Sequence, residues 1–364
     1  MKNPKLYNWT LLLFLFPMLL YGAHNGPKGK YTKEKTLKKE YAVNSDATLH
    51  IDNSYGNIQV VAWNQNKITI EVHITTNGND EKNVQQKLDD ITVEFKASPS
   101  MVSAETIFDQ NSNKSWWSGW FDNDSVNMEI NYTVKMPMTN NAFLNNDYGN
   151  IKIGDLEGRA VINCDYGKIT TGKLRADNNS LTFDYSNNCY FEYIKSGTIN
   201  ADYSGFTIGG SQSLEIAADY TDSTVEKAEN VTFSCDYGKI NIEQVGQVKG
   251  NGDYLTIHLG EVGKNVNLVS DYGSIKIERM LPTAGSIFID ANYTDIKIGV
   301  ASGRPFVFDI DMEYASLDAF DGLTYTEKNK DGSDRLYRGY YISEDTGNRI
   351  KIETDYGDVS LSKE

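Results

Sequence analysis

Apolar and polar residues alternate with period two along much of the chain. Val231, Phe233, Cys235 and Tyr237 share one parity, with Thr232, Ser234 and Asp236 between them. After Gly238 the phase shifts, and Ile240 and Ile242 take over. Val266, Leu268, Ser270 and Tyr272, then Ile275 and Ile277, repeat the pattern, as do Ile287, Ile289, Ala291 and Tyr293, then Ile296 and Ile298. Such alternation predicts strands with one buried face. Each unit holds two short strands joined at a corner after the tyrosine.

The corner phrase recurs as "NDYGNIKI", "CDYGKITT", "CDYGKINI", "SDYGSIKI" and "TDYGDVSL". Aligned on tyrosine, the units fall at Tyr148, Tyr166, Tyr185, Tyr203, Tyr220, Tyr237, Tyr254, Tyr272, Tyr293 and Tyr314, 17 to 21 residues apart, with Tyr55 and Tyr356 outside the rhythm. A segment this short cannot fold alone, but stacked copies bury one continuous core. The period therefore predicts an all-β, single-stranded parallel β-solenoid (β-helix), right-handed on general chirality grounds, with equivalent strands about 4.8 Å apart. Antiparallel sandwiches also alternate, but they leave the constant period unexplained. A left-handed hexapeptide solenoid needs an aliphatic every sixth residue, whereas Ile162, Ile169 and Leu174 are seven and five apart.

The parity places the tyrosine rings on the core wall, stacked along the structure as a ladder, and the following Gly supplies a permissive backbone for the corner. Ser186, Ser204, Thr221, Leu255, Thr294 and Ala315 break that Gly rule. Asp147, Asp165, Asp184, Asp202, Asp219, Asp236, Asp253 and Asp271 form an outward acidic row. Their repulsion is offset by backbone N–H bonds within each corner, an Asx turn; a row of calcium ions is the alternative. Cys164, Cys189 and Cys235 are an odd set, and Cys164 and Cys235 read as small buried fillers.

Outside the repeats, "MKNPKLYNWTLLLFLFPMLLYGA" over residues 1–23 has the basic start, short apolar run and small cleavage-site residues of an export signal. Residues 24–143 form a β-rich N-terminal cap, with a short amphipathic helix on Val84, Leu88 and Ile91. Residues 144–364 carry the repeats, with a charged loop excursion near 320–348. In "NKSWWSGWFDN", Trp116, Trp117, Trp120 and Phe121 either complete a local core or form a surface contact for a glycan, a protein or a membrane interface. No later apolar stretch is long enough for a spanning helix.

Formal charge is −15, which argues against a nucleic-acid partner. The chain has four histidines, and no phosphate-binding Gly loop, H-E-x-x-H or nucleophile elbow. Catalytic residues, metal ligands and cofactors are therefore all expected to be none.

"SYGNIQVVAW", "VKMP" followed by "AFLNNDYGNIKIGDLEG", the reiterated "DYGxI" and the closing "ETDYGDVSL" resemble a bacterial family of "putative adhesins" with a β-strand-repeat domain of unknown function. The resemblance implies an exported β-solenoid of the cell envelope, periplasmic, on the surface or extracellular. The expected function is a non-enzymatic adhesin or binding scaffold whose partner is an envelope protein or a glycan. A polysaccharide-binding or polysaccharide-active β-helix protein is the alternative.

Overall fold

The computed structural model describes residues 29–108 and 126–364. The expected export signal and the group Trp116, Trp117, Trp120 and Phe121 lie outside these residues. Within them the chain is all-β with a single short helix, and every strand joins one hydrogen-bonded network.

The repeats pair in parallel. Strand Asp222–Ser234 lies against Gly238–Asn251, with Asp222 opposite Lys239 and Ser234 opposite Asn251. That displacement of 17 residues equals the distance from Tyr220 to Tyr237. The sequence period is therefore the register shift. Where the spacing widens to 21 between Tyr272 and Tyr293, the surplus lies in the loop between strands Ser274–Met280 and Ile287–Asn292. Among the described residues, antiparallel pairing is confined to the two ends of the stack.

Alternation puts one face of each strand inside. Ile287, Ile289 and Ala291 are buried while Phe288 and Asp290 point out, and Val231, Phe233, Ile240 and Ile242 are each at most 2 % exposed. A fully buried side chain of this size contributes about 1.5–3 kcal/mol, so core burial is the main stabilising term.

The tyrosines depart from the parity reading. Tyr148, Tyr166, Tyr185, Tyr203, Tyr220, Tyr237, Tyr254, Tyr272, Tyr293 and Tyr314 are all exposed, at 45–59 %. Alternation holds only while the backbone stays extended. Each of these residues instead has a left-handed backbone, with φ between 49° and 57°, which turns its ring outward. The glycines also act differently from expectation. None of those following a corner tyrosine has positive φ. A Cβ on Gly149 would lie 1.8 Å from the Gly56 carbonyl oxygen, and one on Gly273 would lie 2.2 Å from that of Leu255. The requirement is close approach of neighbouring units rather than backbone freedom.

Both ends of the stack are built by insertion. Strand Thr48–Ser54 lies between Met101–Phe108 and Asn141–Asp147, and Ile58–Trp63 lies between Asn127–Pro137 and Ile151–Ile153. At the other end Arg349–Asp355 lies between Ile287–Asn292 and Phe306–Glu313, and Val359–Lys363 between Asp295–Val300 and Leu317–Ala319. Helix Glu81–Asp90 packs on strands Tyr31–Ala42, Lys67–Gly78 and Ile91–Ser98 through buried Val84 and Leu88. The Asp80 side chain accepts the Asn83 N–H at 2.8 Å, and Lys35 Nζ donates to the carbonyls of Leu88 and Ile91, so a side chain caps each helix end.

Gly149→Ala is expected to lower unfolding free energy by about 2 kcal/mol through overpacking. Gly154→Ala has nothing within 4 Å of its new Cβ and should be neutral or stabilising by about 0.5 kcal/mol. Urea midpoints of the two variants against the parent decide whether the Gly149 corner is as tight as described.

Candidate binding face: the tyrosine–aspartate ladder

Two backbone-directed bonds join each corner to the next. The Tyr185 N–H donates to the Asp202 carbonyl at 3.1 Å, and the Asp202 N–H donates to Asp184 Oδ1 at 3.1 Å. The carboxylate bond repeats from Asp165 through Asp184, Asp202, Asp219, Asp236, Asp253 and Asp271 to the N–H of Asn292, at 2.8–3.3 Å. Each of these carboxylates therefore serves the next unit and not its own corner, which corrects the Asx-turn expectation. Neighbouring carboxylates repel by roughly 1 kcal/mol in water. A hydrogen bond to a charged acceptor contributes about 1.5–3 kcal/mol and offsets that repulsion.

Three of the exceptions to the Gly rule, Ser186, Ser204 and Thr221, form a second ladder beneath the first. The Gly167 N–H donates to Ser186 Oγ, the Ser186 N–H to Ser204 Oγ, and the Ser204 N–H to Thr221 Oγ1, at 3.0–3.2 Å. Each hydroxyl directs its one proton between a carbonyl of its own corner and one of the preceding unit. A third ladder lies inside the first units, where Asn53 Nδ2 donates to Asn146 Oδ1 and Asn146 Nδ2 to the Gly56 carbonyl. The signal for both was in the sequence: small hydroxyl residues directly after Tyr, and Asn two residues before it.

Outside these ladders the rings form one column. Twelve tyrosines have φ between 49° and 60°. Their rings stack in the order Tyr55, Tyr148, Tyr166, Tyr185, Tyr203, Tyr220, Tyr237, Tyr254, Tyr272, Tyr293, Tyr356 and Tyr314. Centroids are 4.7–5.2 Å apart and planes are within 9° of parallel. Tyr55 and Tyr356, outside the sequence rhythm, fall into the column because their units are inserted. Phe108 meets Tyr55 edge-on at 6.1 Å, and Tyr314 at the far end is the most exposed ring of the column. Interior rings are covered on both faces by neighbours. What reaches solvent is a comb of ring edges and phenol hydroxyls beside a row of carboxylates.

Burial, then neighbouring phenols and carboxylates, raise the pKa of Tyr237 and Tyr356 above the ordinary tyrosine value, and the same causes act on Tyr55. Burial first, then Asp165 and Asp52, raise that of Asp147. Burial pushes the Cys164 and Cys235 thiols up to about 12; these buried thiols are held protonated and are poor nucleophiles. All three cysteines are free and buried. His258 Nε2 pairs with Glu278 Oε1 at 2.8 Å and its Nδ1 faces Asn241 Oδ1. His50 stacks on Phe143 at 4.7 Å, and burial lowers its pKa. Among the described residues no three His, Cys, Asp or Glu side chains are grouped to hold a metal ion, and no helix is long and apolar enough to cross a membrane.

No family model matches the chain, and no curated protein matches it. Three solved structures are remotely similar to it. A "putative cell adhesion protein" from Clostridium sporogenes is 9 % identical, with 92 % of this chain and 100 % of that one covered and a TM-score of 0.21. A "putative adhesin" from Parabacteroides merdae is 9 % identical, with 92 % and 98 % covered and a TM-score of 0.34. A "putative lipid binding protein" from Parabacteroides distasonis is 9 % identical, with 90 % and 96 % covered and a TM-score of 0.31. Likenesses at this level carry no assignment of function.

The raised tyrosine pKa values set an alkaline limit. The stability that they contribute is fully present below the unfolded tyrosine value, about 10, and is lost as pH rises through the higher folded values. Phenolate absorbance at 295 nm, titrated in roughly the pH 9–12 window, should lag that of the urea-unfolded chain and then rise together with loss of β-sheet circular dichroism. Titration of the folded chain superimposable on the unfolded one would show that Tyr55, Tyr237 and Tyr356 are not shifted upward.

Proposed function

We propose that this chain is a non-enzymatic, exported binding scaffold of the cell envelope. It is a parallel β-solenoid whose outer corner presents the phenol–carboxylate comb to a glycan or an envelope protein. One observation carries the reading: twelve tyrosines stand in a single column at constant spacing. Acid–base catalysis needs groups made different from one another by their surroundings. Here seven carboxylates each accept the equivalent backbone N–H of the next unit, and uniformity of that kind suits repeated weak contacts along an extended partner.

The geometry also narrows the mode of contact. Sugar rings commonly lie on aromatic faces, but interior faces of this column are taken by neighbouring tyrosines. A polysaccharide running along the comb would instead meet hydroxyls, carboxylates and ring edges. Export rests on the basic start, short apolar run and small cleavage-site residues within residues 1–23.

Replacing Tyr203, Tyr220 and Tyr237 together by Phe keeps the stack and removes three hydroxyls. At about 1 kcal/mol for each hydrogen bond lost, adhesion to immobilised glycans or envelope fractions should weaken roughly a hundredfold with the melting temperature unchanged. Undiminished adhesion would take the comb out of the reading. Reducing ends or unsaturated products released from a polysaccharide panel would overturn its non-enzymatic part. For export, the processed protein recovered from cells should begin at or near His24 on N-terminal sequencing.

A further inference from the structure

Residues 349–363 are held from both sides. Tyr293 N–H donates to the Asp355 carbonyl at 2.7 Å and Ile296 N–H to that of Asp358 at 2.9 Å. On the opposite side Tyr356 N–H donates to Glu313 and Val359 N–H to Ser316, both at 2.9 Å. The ring of Tyr356 fills the column between Tyr293 and Tyr314, at 4.7 and 4.8 Å. Ile350, Ile352, Val359 and Leu361 fill the core below. Without this segment, the strands on either side would face each other with unpaired edges, a gap one ring wide and four missing apolar side chains. The sequence that fits such a slot is the segment's own.

The connection into it is strained. Ile342, directly after strand Asp334–Tyr341, has φ 68° and is 57 % exposed. A β-branched residue is a genuine outlier there, and strain of this kind is a feature of switch segments. Residues 342–348 form no regular strand and, extended, reach about 23 Å. Straightening them relieves Ile342 and lets the segment reach a neighbouring molecule.

We propose that the slot between strands Ile287–Asn292 and Phe306–Glu313, continued between Asp295–Val300 and Leu317–Ala319, is a strand-acceptor site. The chain's own segment 349–363 fills it in the monomer, and the same segment of a second copy fills it in an assembly. The same bonds form in both states, so concentration and hinge strain set the balance. The inference stands on strand pairing and is independent of what the tyrosine comb binds.

Full-length chains test it. Phe288 on the slot wall and Lys351 in the inserted segment are register partners, at a strand separation within disulfide range, and Asn267 is the partner of Phe288 one strand further away. A tagged Phe288→Cys copy and a differently tagged Lys351→Cys copy are refolded together at high concentration and oxidised. The reference mixture replaces Phe288→Cys by Asn267→Cys, and the single-chain double variant Phe288→Cys/Lys351→Cys fixes the maximal yield. The 288–351 mixed disulfide should exceed the 267–351 one by about tenfold and increase with protein concentration. Equal yields, or no mixed disulfide while the double variant closes its own bridge, would overturn the acceptor site.

Discussion

The whole stack depends on a backbone conformation that an isolated tyrosine avoids. A left-handed backbone costs an ordinary residue about 1–2 kcal/mol, and this chain adopts it at twelve tyrosines. The conformation is held by the next unit, which accepts the tyrosine N–H on its Asp carbonyl and lays its own ring against the first. Stacking contributes about 0.5–1.5 kcal/mol and the hydrogen bond a similar amount. The corner therefore roughly balances in company and is unfavourable alone. A glycine stands beside many of these tyrosines, yet the left-handed position is not given to it. The arrangement favours a continuous ring column over the least strained corner.

The same dependence on the neighbour recurs in the charges. An acidic row on a chain of formal charge −15 would push its units apart if each carboxylate faced only water. Turned along the stack, each of seven carboxylates takes the N–H of the next unit. The groups that repel through charge are thus held together through directed bonds. Strand pairs, rings, hydroxyls and carboxylates all point from one unit to the next, which makes nearest-neighbour coupling the natural description of stability.

Much of this is legible in the amino-acid sequence. Alternation in Val231, Phe233 and Cys235 gave the buried face, and the tyrosine spacing gave the register shift that Asp222–Ser234 makes against Gly238–Asn251. The direction of the tyrosine rings was not legible, because parity presumes extended backbone and fails at the one residue per unit that leaves it. The insertion of Tyr356 between Tyr293 and Tyr314 was also hidden. Sequence order implies spatial order in a simple stack, and nothing in "ETDYGDVSL" says that it returns to a slot already flanked. The role of Gly149 was misread for a related reason: its requirement is set by the Gly56 carbonyl of a unit far away in sequence.

The ends explain how so regular a structure avoids indefinite growth. An unpaired parallel edge is a template for further strands. Here the edge strands Tyr31–Ala42, Ile91–Ser98 and Thr324–Asp331 run antiparallel to their neighbours. The first and last carry charge: Lys33, Lys35, Lys38 and Lys39 on the one, Glu327, Lys328 and Lys330 on the other, which is exposed throughout. The edge strand Leu317–Ala319 pairs in parallel but is only 3 residues long. A copy arriving at these edges meets reversed polarity and solvated side chains, or a parallel strand too short to template another. Addition at the edges is thus disfavoured, whereas an inserted unit keeps its full set of partners in whichever molecule supplies it. Where association occurs, the topology favours exchange of a complete unit over extension of a sheet.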